Sequence, residues 1–106
     1  MTAKTFIDLT GASGATYRFR LWPDGAPHLP MAGNYVFIAG EGDSLKVVVA
    51  GLTNDLSKSR TQERKAASRG ATRIYPRLNV SRTVRKAEHE DLVAHYKPPV
   101  VHVADT

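Results

Sequence analysis

The stretch VVVAGLTNDLSKSR, residues 47–60, is where the chain changes from one kind of structure to another. Its apolar, β-branched opening has the composition of a buried strand. One glycine, Gly51, follows, and then Thr53, Asn54 and Asp55 supply the small polar side chains that cap helices. Gly51 therefore has three readings: a turn that cradles phosphate, an ordinary strand end, or one half of a nuclease motif.

Working outward, Tyr35–Ala39 and Leu45–Ala50 flank the turn-forming GEGDS and are expected to pair antiparallel. Downstream, a helix is expected over about 54–69, capped by Thr53 or Asn54, with Asp55 in its first turn and Arg69 then Gly70 at its far end. TRIYPRL, Thr72–Leu78, alternates so that Arg73, Tyr75 and Arg77 share one face, and Pro76 limits it to an edge or a short strand. Ser81 caps a second helix running to about Tyr96, which Pro98 and Pro99 stop. Ahead of all this, Thr5–Leu9 and Thr16–Trp22 read as a hairpin around GASGA, packed by Phe19 and Trp22 and followed by the irregular connection PDGAPHLP, residues 23–30. The expected order is β-β, β-β, α, β, α, tail. That is an α+β fold: a small mixed or antiparallel sheet flanked by two main helices, with an extra N-terminal β-hairpin.

A chain of 106 residues with 42% hydrophobic content supplies one core, so residues 1–106 are expected to form a single domain. There is no cysteine, which excludes a disulfide framework, a zinc ribbon and a thiol nucleophile. No apolar run approaches the roughly 20 residues of a membrane helix, and MTAKTFIDL lacks the basic-then-apolar pattern of a signal peptide. The expectation is a soluble cytoplasmic protein with no membrane partner. No GxGxxG, Walker lysine or Ser-His-Asp arrangement is present, and His28, His95 and His102 share no ligand spacing.

The net charge of +5 is unevenly spread. Residues 1–50 carry four bases against four acids, whereas between Ser57 and Lys86 ten bases meet one acid, Glu63. An excess of that size, mostly arginine, suits a polyanion partner, and the alternative is a solvated basic surface. The phosphate contacts expected are Arg60, Arg64, Arg73, Arg77, Arg82 and Arg85, with Tyr75 either stacking on a base or serving as a surface sheet residue. On the second helix Glu88 falls between Val84 and Leu92, so it is either ion-paired or a site residue.

Four fragments in order, GNY at Gly33–Tyr35, VAG at Val49–Gly51, TNDL before the basic helix and EDLVAHYKPP at Glu90–Pro99, together resemble a GIY-YIG nuclease domain. The resemblance covers about residues 33–100, with residues 1–32 as an N-terminal hairpin extension outside it. It implies metal-assisted phosphodiester hydrolysis by two tyrosines, an arginine and a metal-holding glutamate. Tyr35 matches the first tyrosine. Val49 stands where the second would be, Ser59 stands at the arginine position with Arg60 beside it, and His89 stands at the glutamate position between Glu88 and Glu90. A histidine is a poor sole ligand for magnesium, which prefers hard oxygen donors.

Three functions follow as expectations. The first is a nucleic-acid-binding domain, for DNA, on a catalytically degenerate GIY-YIG-like scaffold that needs no cofactor or metal. The second is an active endonuclease using magnesium or manganese, with Tyr35, Arg60 and Glu88 in shifted roles and Glu88 or His89 as metal ligand. The third is a protein-interaction domain that binds a protein partner, or a second copy as a homodimer, through the N-terminal hairpin.

Overall fold

The structure, a computed structural model, describes residues 4–22, 26–28 and 30–104. Its strands are β1 (Phe6–Thr10), β2 (Thr16–Arg20), β3 (Gly33–Ala39), β4 (Lys46–Thr53), β5 (Arg73–Leu78) and β6 (Val100–Ala104), and its α-helices are α1 (Glu63–Ala67) and α2 (Arg82–Tyr96). The strands around Tyr35, Val48 and Ile74 lie together as expected, in a mixed four-stranded sheet of order β5-β3-β4-β6. β3 runs antiparallel to both neighbours, and β6 runs parallel to β4.

Three sequence expectations change here. Gly51 does not end its strand: β4 continues to Thr53, because β6 pairs with residues 49–53 and satisfies the backbone groups beyond the glycine. β6 itself occupies what was expected to be a tail. The helix expected over 54–69 is a 3-10 run, Leu56–Gln62, followed by the five residues of α1. Its cap is Asp55, whose carboxylate accepts from the Ser57 amide at 3.0 Å, while Thr53 Oγ1 accepts from the Asp55 amide at 3.0 Å. Ser59 Oγ then donates to the Leu56 carbonyl at 2.7 Å. Such local side-chain bonds compete with the regular α pattern and favour the tighter one. Gly70, with φ +90°, ends the segment in the left-handed region as its position after Arg69 suggests.

Alternation along the strands gives the sheet two buried faces. On one, Val36, Ile38, Ala50 and Tyr75 pack with Leu9 and Phe19 of the β1–β2 hairpin and Leu92 of α2. On the other, Tyr35, Phe37, Val49 and Ile74 pack with Leu56, Ala66 and Trp22. A bulge places Val49 opposite Phe37 and Val47 opposite Ile38, so Val48 is the extra residue that lets both faces of β4 stay apolar. Trp22 thus leaves the hairpin it was expected to pack: its amide donates to the Ile74 carbonyl at 3.1 Å and its ring joins the second face. Of the connection expected at 23–30, residues 23–25 and 29 lie outside the described residues.

The hairpin is tied to α2 by the Ala12 amide on the Asp91 carbonyl at 3.1 Å, by the Thr10 amide on the Tyr96 hydroxyl at 3.2 Å and by the Asp91 carboxylate. Asp91 accepts from the Tyr17 hydroxyl at 2.7 Å, from the Ser13 hydroxyl at 2.7 Å and from the Ser13 amide at 2.8 Å. These donors hold its pKa below the usual 3.8. The approach requires Gly11, where a Cβ would fall 2.0 Å from Asp91 Oδ2. Among the described residues no helix is long and apolar enough to cross a membrane.

Candidate nucleic-acid interface

The glycine of the opening stretch is explained by what lies across it. Pro76, Tyr35, Gly51 and His102 sit side by side on four adjacent strands. The fully buried Tyr35 ring extends over Gly51, where a Cβ would fall 2.2 Å from Cζ. Beyond the glycine, the Tyr35 hydroxyl meets His102 Nδ1 at 2.5 Å. Burial raises the phenol pKa, so the Tyr35 hydroxyl stays protonated and shares one hydrogen bond with the His102 ring nitrogen. His102 could not be found as a partner from spacing because it lies on the unexpected strand β6.

Tyr35, Arg60 and Glu88 do not converge. Arg60 leans over the Trp22 ring at 4.6 Å and pairs with Glu63 at 3.1 Å, on the face of the sheet that holds Tyr35. Glu88 belongs to the other side. Its Oε1 accepts from Arg77 Nε at 2.9 Å and from Asn79 Nδ2 at 3.0 Å, and Asn79 in turn donates to Asn34 at 2.9 Å. Asn34 and Tyr35 are consecutive in β3, so their side chains take opposite faces. The sheet therefore stands between the carboxylate and the other two groups.

The remaining motif positions are interior. Val49 and Ser59 are buried, and His89 is buried on α2, where desolvation lowers its pKa and favours the neutral ring. With His89 in the core and Glu88 held by Arg77 and Asn79, these residues do not fit magnesium or manganese. Among the described residues no three His, Cys, Asp or Glu side chains group closely enough to hold a metal ion.

The basic residues divide into those used inside the fold and those facing outward. Tyr75 cannot stack on a base: it is fully buried beneath the hairpin, and its hydroxyl donates to the Lys4 carbonyl at 2.8 Å. Arg85 is 4% exposed and donates to the carbonyls of Asn79 and Val80 at 3.1 and 2.9 Å, tying α2 to the loop before it. Arg73 pairs with Glu41 at 3.3 Å and also donates to the Gly40 carbonyl. Arg77 holds Glu88 and donates to the Arg18 carbonyl at 3.1 Å. Of the expected phosphate contacts only Arg64 and Arg82 are fully outward, with Arg60 half-buried.

Sequence reasoning passed over the other exposed bases. Lys58 on the 3-10 run, Lys65 on α1 and Arg69 in the turn after it join Arg64, all four exposed and none ion-paired among the described residues. On the hairpin, Phe6 and Arg20 are directly opposite each other, as are Asp8 and Arg18, and this row faces outward. The alternation in TYRFR carried that signal. Compared with protein-family models, curated proteins and solved structures, the chain has no match.

Proposed function

We propose that the chain is a nucleic-acid-binding domain, for DNA, built on a catalytically degenerate GIY-YIG-like scaffold. The observation that carries this reading is the outward cluster of Lys58, Arg64, Lys65 and Arg69 on one short segment, with no carboxylate partner among the described residues. Bases without an ion pair neutralise phosphates without first breaking an internal one. The scaffold supports the same reading from the other direction. Tyr35 keeps its place, yet its hydroxyl is committed to His102, and Glu88, one of the two carboxylates flanking the resembled metal position, is committed to Arg77 and Asn79.

Fluorescence anisotropy with a labelled DNA duplex tests the proposal. At low salt the wild type binds with micromolar affinity or weaker. A variant carrying Lys58→Glu, Arg64→Glu, Lys65→Glu and Arg69→Glu, with unchanged circular dichroism, loses that binding. Wild-type affinity in the variant would remove the basis of the proposal.

A further inference from the structure

The outer face of the hairpin, together with Trp22, Pro27, His28 and the β5 edge, lines a cleft of about 420 Å³ that none of the motif positions touches. Its size falls within the roughly 300–1,000 Å³ of small-molecule sites. Phe6 is 47% exposed on its rim, an uncommon place for a large aromatic ring. The guanidinium carbons of Arg18 and Arg20 lie 5.5 and 6.0 Å from the centroid of that ring. Trp22 and His28, packed edge to face at 4.8 Å, line the inner wall, and Leu78 lines the far side.

Among the described residues, not every base that lines this cleft is ion-paired. Arg18 is paired with Asp8 at 3.0 Å and Arg77 with Glu88 at 2.9 Å, but Arg20 has no ion pair among the described residues. Among the described residues the cleft thus combines apolar and aromatic walls with one lining guanidinium that has no carboxylate partner. A planar ring bearing an anion is complementary to both. A stretch of paired duplex is not, because its bases present no free face.

We infer that this cleft takes an unpaired nucleobase, stacked at Phe6, with the attached phosphate on Arg20. The inference rests on the nucleic-acid reading but uses a separate surface: the hairpin, not the segment that carries Lys58 and Arg64. The site gives the domain a preference for single-stranded or frayed DNA over closed duplex, with the basic segment tracking the backbone.

Trp22 is the chain's one tryptophan, so its fluorescence reports occupancy directly. Titration with an eight-residue oligothymidylate quenches it, and Phe6→Ala weakens that binding by about 5- to 100-fold, the range for loss of one base-aromatic stack. Arg20→Ala weakens it as well, whereas Phe6→Tyr retains it. Blunt-duplex affinity is unchanged in all three. Free thymidine monophosphate serves as a second probe: quenching only by the oligomer assigns the occupant to a strand, and equal quenching by the monophosphate assigns it to a free nucleotide. Phe6 is exposed, so the alanine variant is expected to melt within a few degrees of wild type, and Arg20→Ala keeps the test valid if it does not. Tryptophan emission unmoved by either probe, or an oligomer affinity indifferent to Phe6 and Arg20, overturns the inference. Loss of duplex binding in the four-glutamate variant with Phe6 dependence intact bears on the basic segment alone.

Discussion

Replacing Gly51 by alanine puts a methyl group where the Tyr35 ring now lies, 2.2 Å from Cζ and 2.5 Å from both Cε1 and the hydroxyl oxygen. The sign of the effect is diagnostic. A strand glycine with nothing across it is usually improved by alanine, by roughly 0.5–1 kcal/mol. Here the ring has to move, and it is fully buried among Phe37, Val49 and Leu56. Overpacking of this kind costs about 1–3 kcal/mol. Displacing the hydroxyl from His102 adds roughly 1 kcal/mol or more for a buried polar group left without its partner. Together they amount to about 2–4 kcal/mol, or a fall in Tm of roughly 10–25 °C for a domain near this size. Thermal and urea unfolding followed by circular dichroism measure it. In a Tyr35→Val background the same Gly51→Ala change becomes neutral or stabilising, a coupling of about 2 kcal/mol or more. A Gly51→Ala protein that melts with the wild type, or that costs the same with and without the tyrosine, would refute the claim that the glycine exists for the ring.

The other predictions concern catalysis, the hairpin and pH. Purified protein leaves supercoiled plasmid intact with magnesium or manganese, since on the proposed GIY-YIG-like scaffold Val49, Ser59 and His89 would stand in for three groups that act as a unit; metal-dependent nicking that disappears in Glu88→Ala would instead show a relocated site. Asp91→Ala removes all three side-chain acceptor bonds that hold Ser13 and Tyr17, so amide exchange in residues 6–20 accelerates more than exchange in β3 and β4; uniform exchange rates across both regions would show that the clamp is not local. His89 has a folded-state pKa below its ordinary 6.5, so the unfolded chain takes up the proton first on acidification. Stability contributed by the neutral ring is therefore full above that value and declines as pH falls through it toward the folded pKa. The urea midpoint should drop between about pH 7 and 5, and His89→Leu should flatten that part of the profile, while a profile identical in the two proteins would assign the titration elsewhere.

What could be read from the sequence was local. Ser81 caps α2 as expected, its side chain accepting from the Val84 amide, and α2 closes at Lys97 in the left-handed region just before the two prolines. The β3–β4 hairpin and β5 also followed from alternation and turn residues. The misreadings share a cause, which is dependence on partners distant in sequence. β6 is five residues of VVHVA whose ladder is supplied by β4, about fifty positions earlier, so no local pattern separates it from a tail. Gly51 looked like a strand end because the ring that needs it is on β3. Alternation puts Tyr75 on one face with Arg73 and Arg77, but it is buried rather than at the surface, because the hairpin that covers that face comes from the other end of the chain. Counting charges had the same limit. Ten bases against one acid between residues 57 and 86 is true of the sequence, yet Glu41 and Glu88 lie outside that window and engage Arg73 and Arg77. The outward cluster is smaller than the local excess and sits chiefly on the 3-10 and α1 segment.

The salt dependence of duplex binding tests this account most directly. Each neutralised phosphate contributes about −0.9 to the slope of log association constant against log salt concentration, so four contacts from Lys58, Arg64, Lys65 and Arg69 predict a slope between about −3 and −4, and an affinity that falls roughly 100-fold from 50 to 200 mM salt. The four-glutamate variant should lose that slope together with the affinity. A wild-type slope near zero, or one that the variant shares, would contradict the claim that these four bases form a nucleic-acid interface.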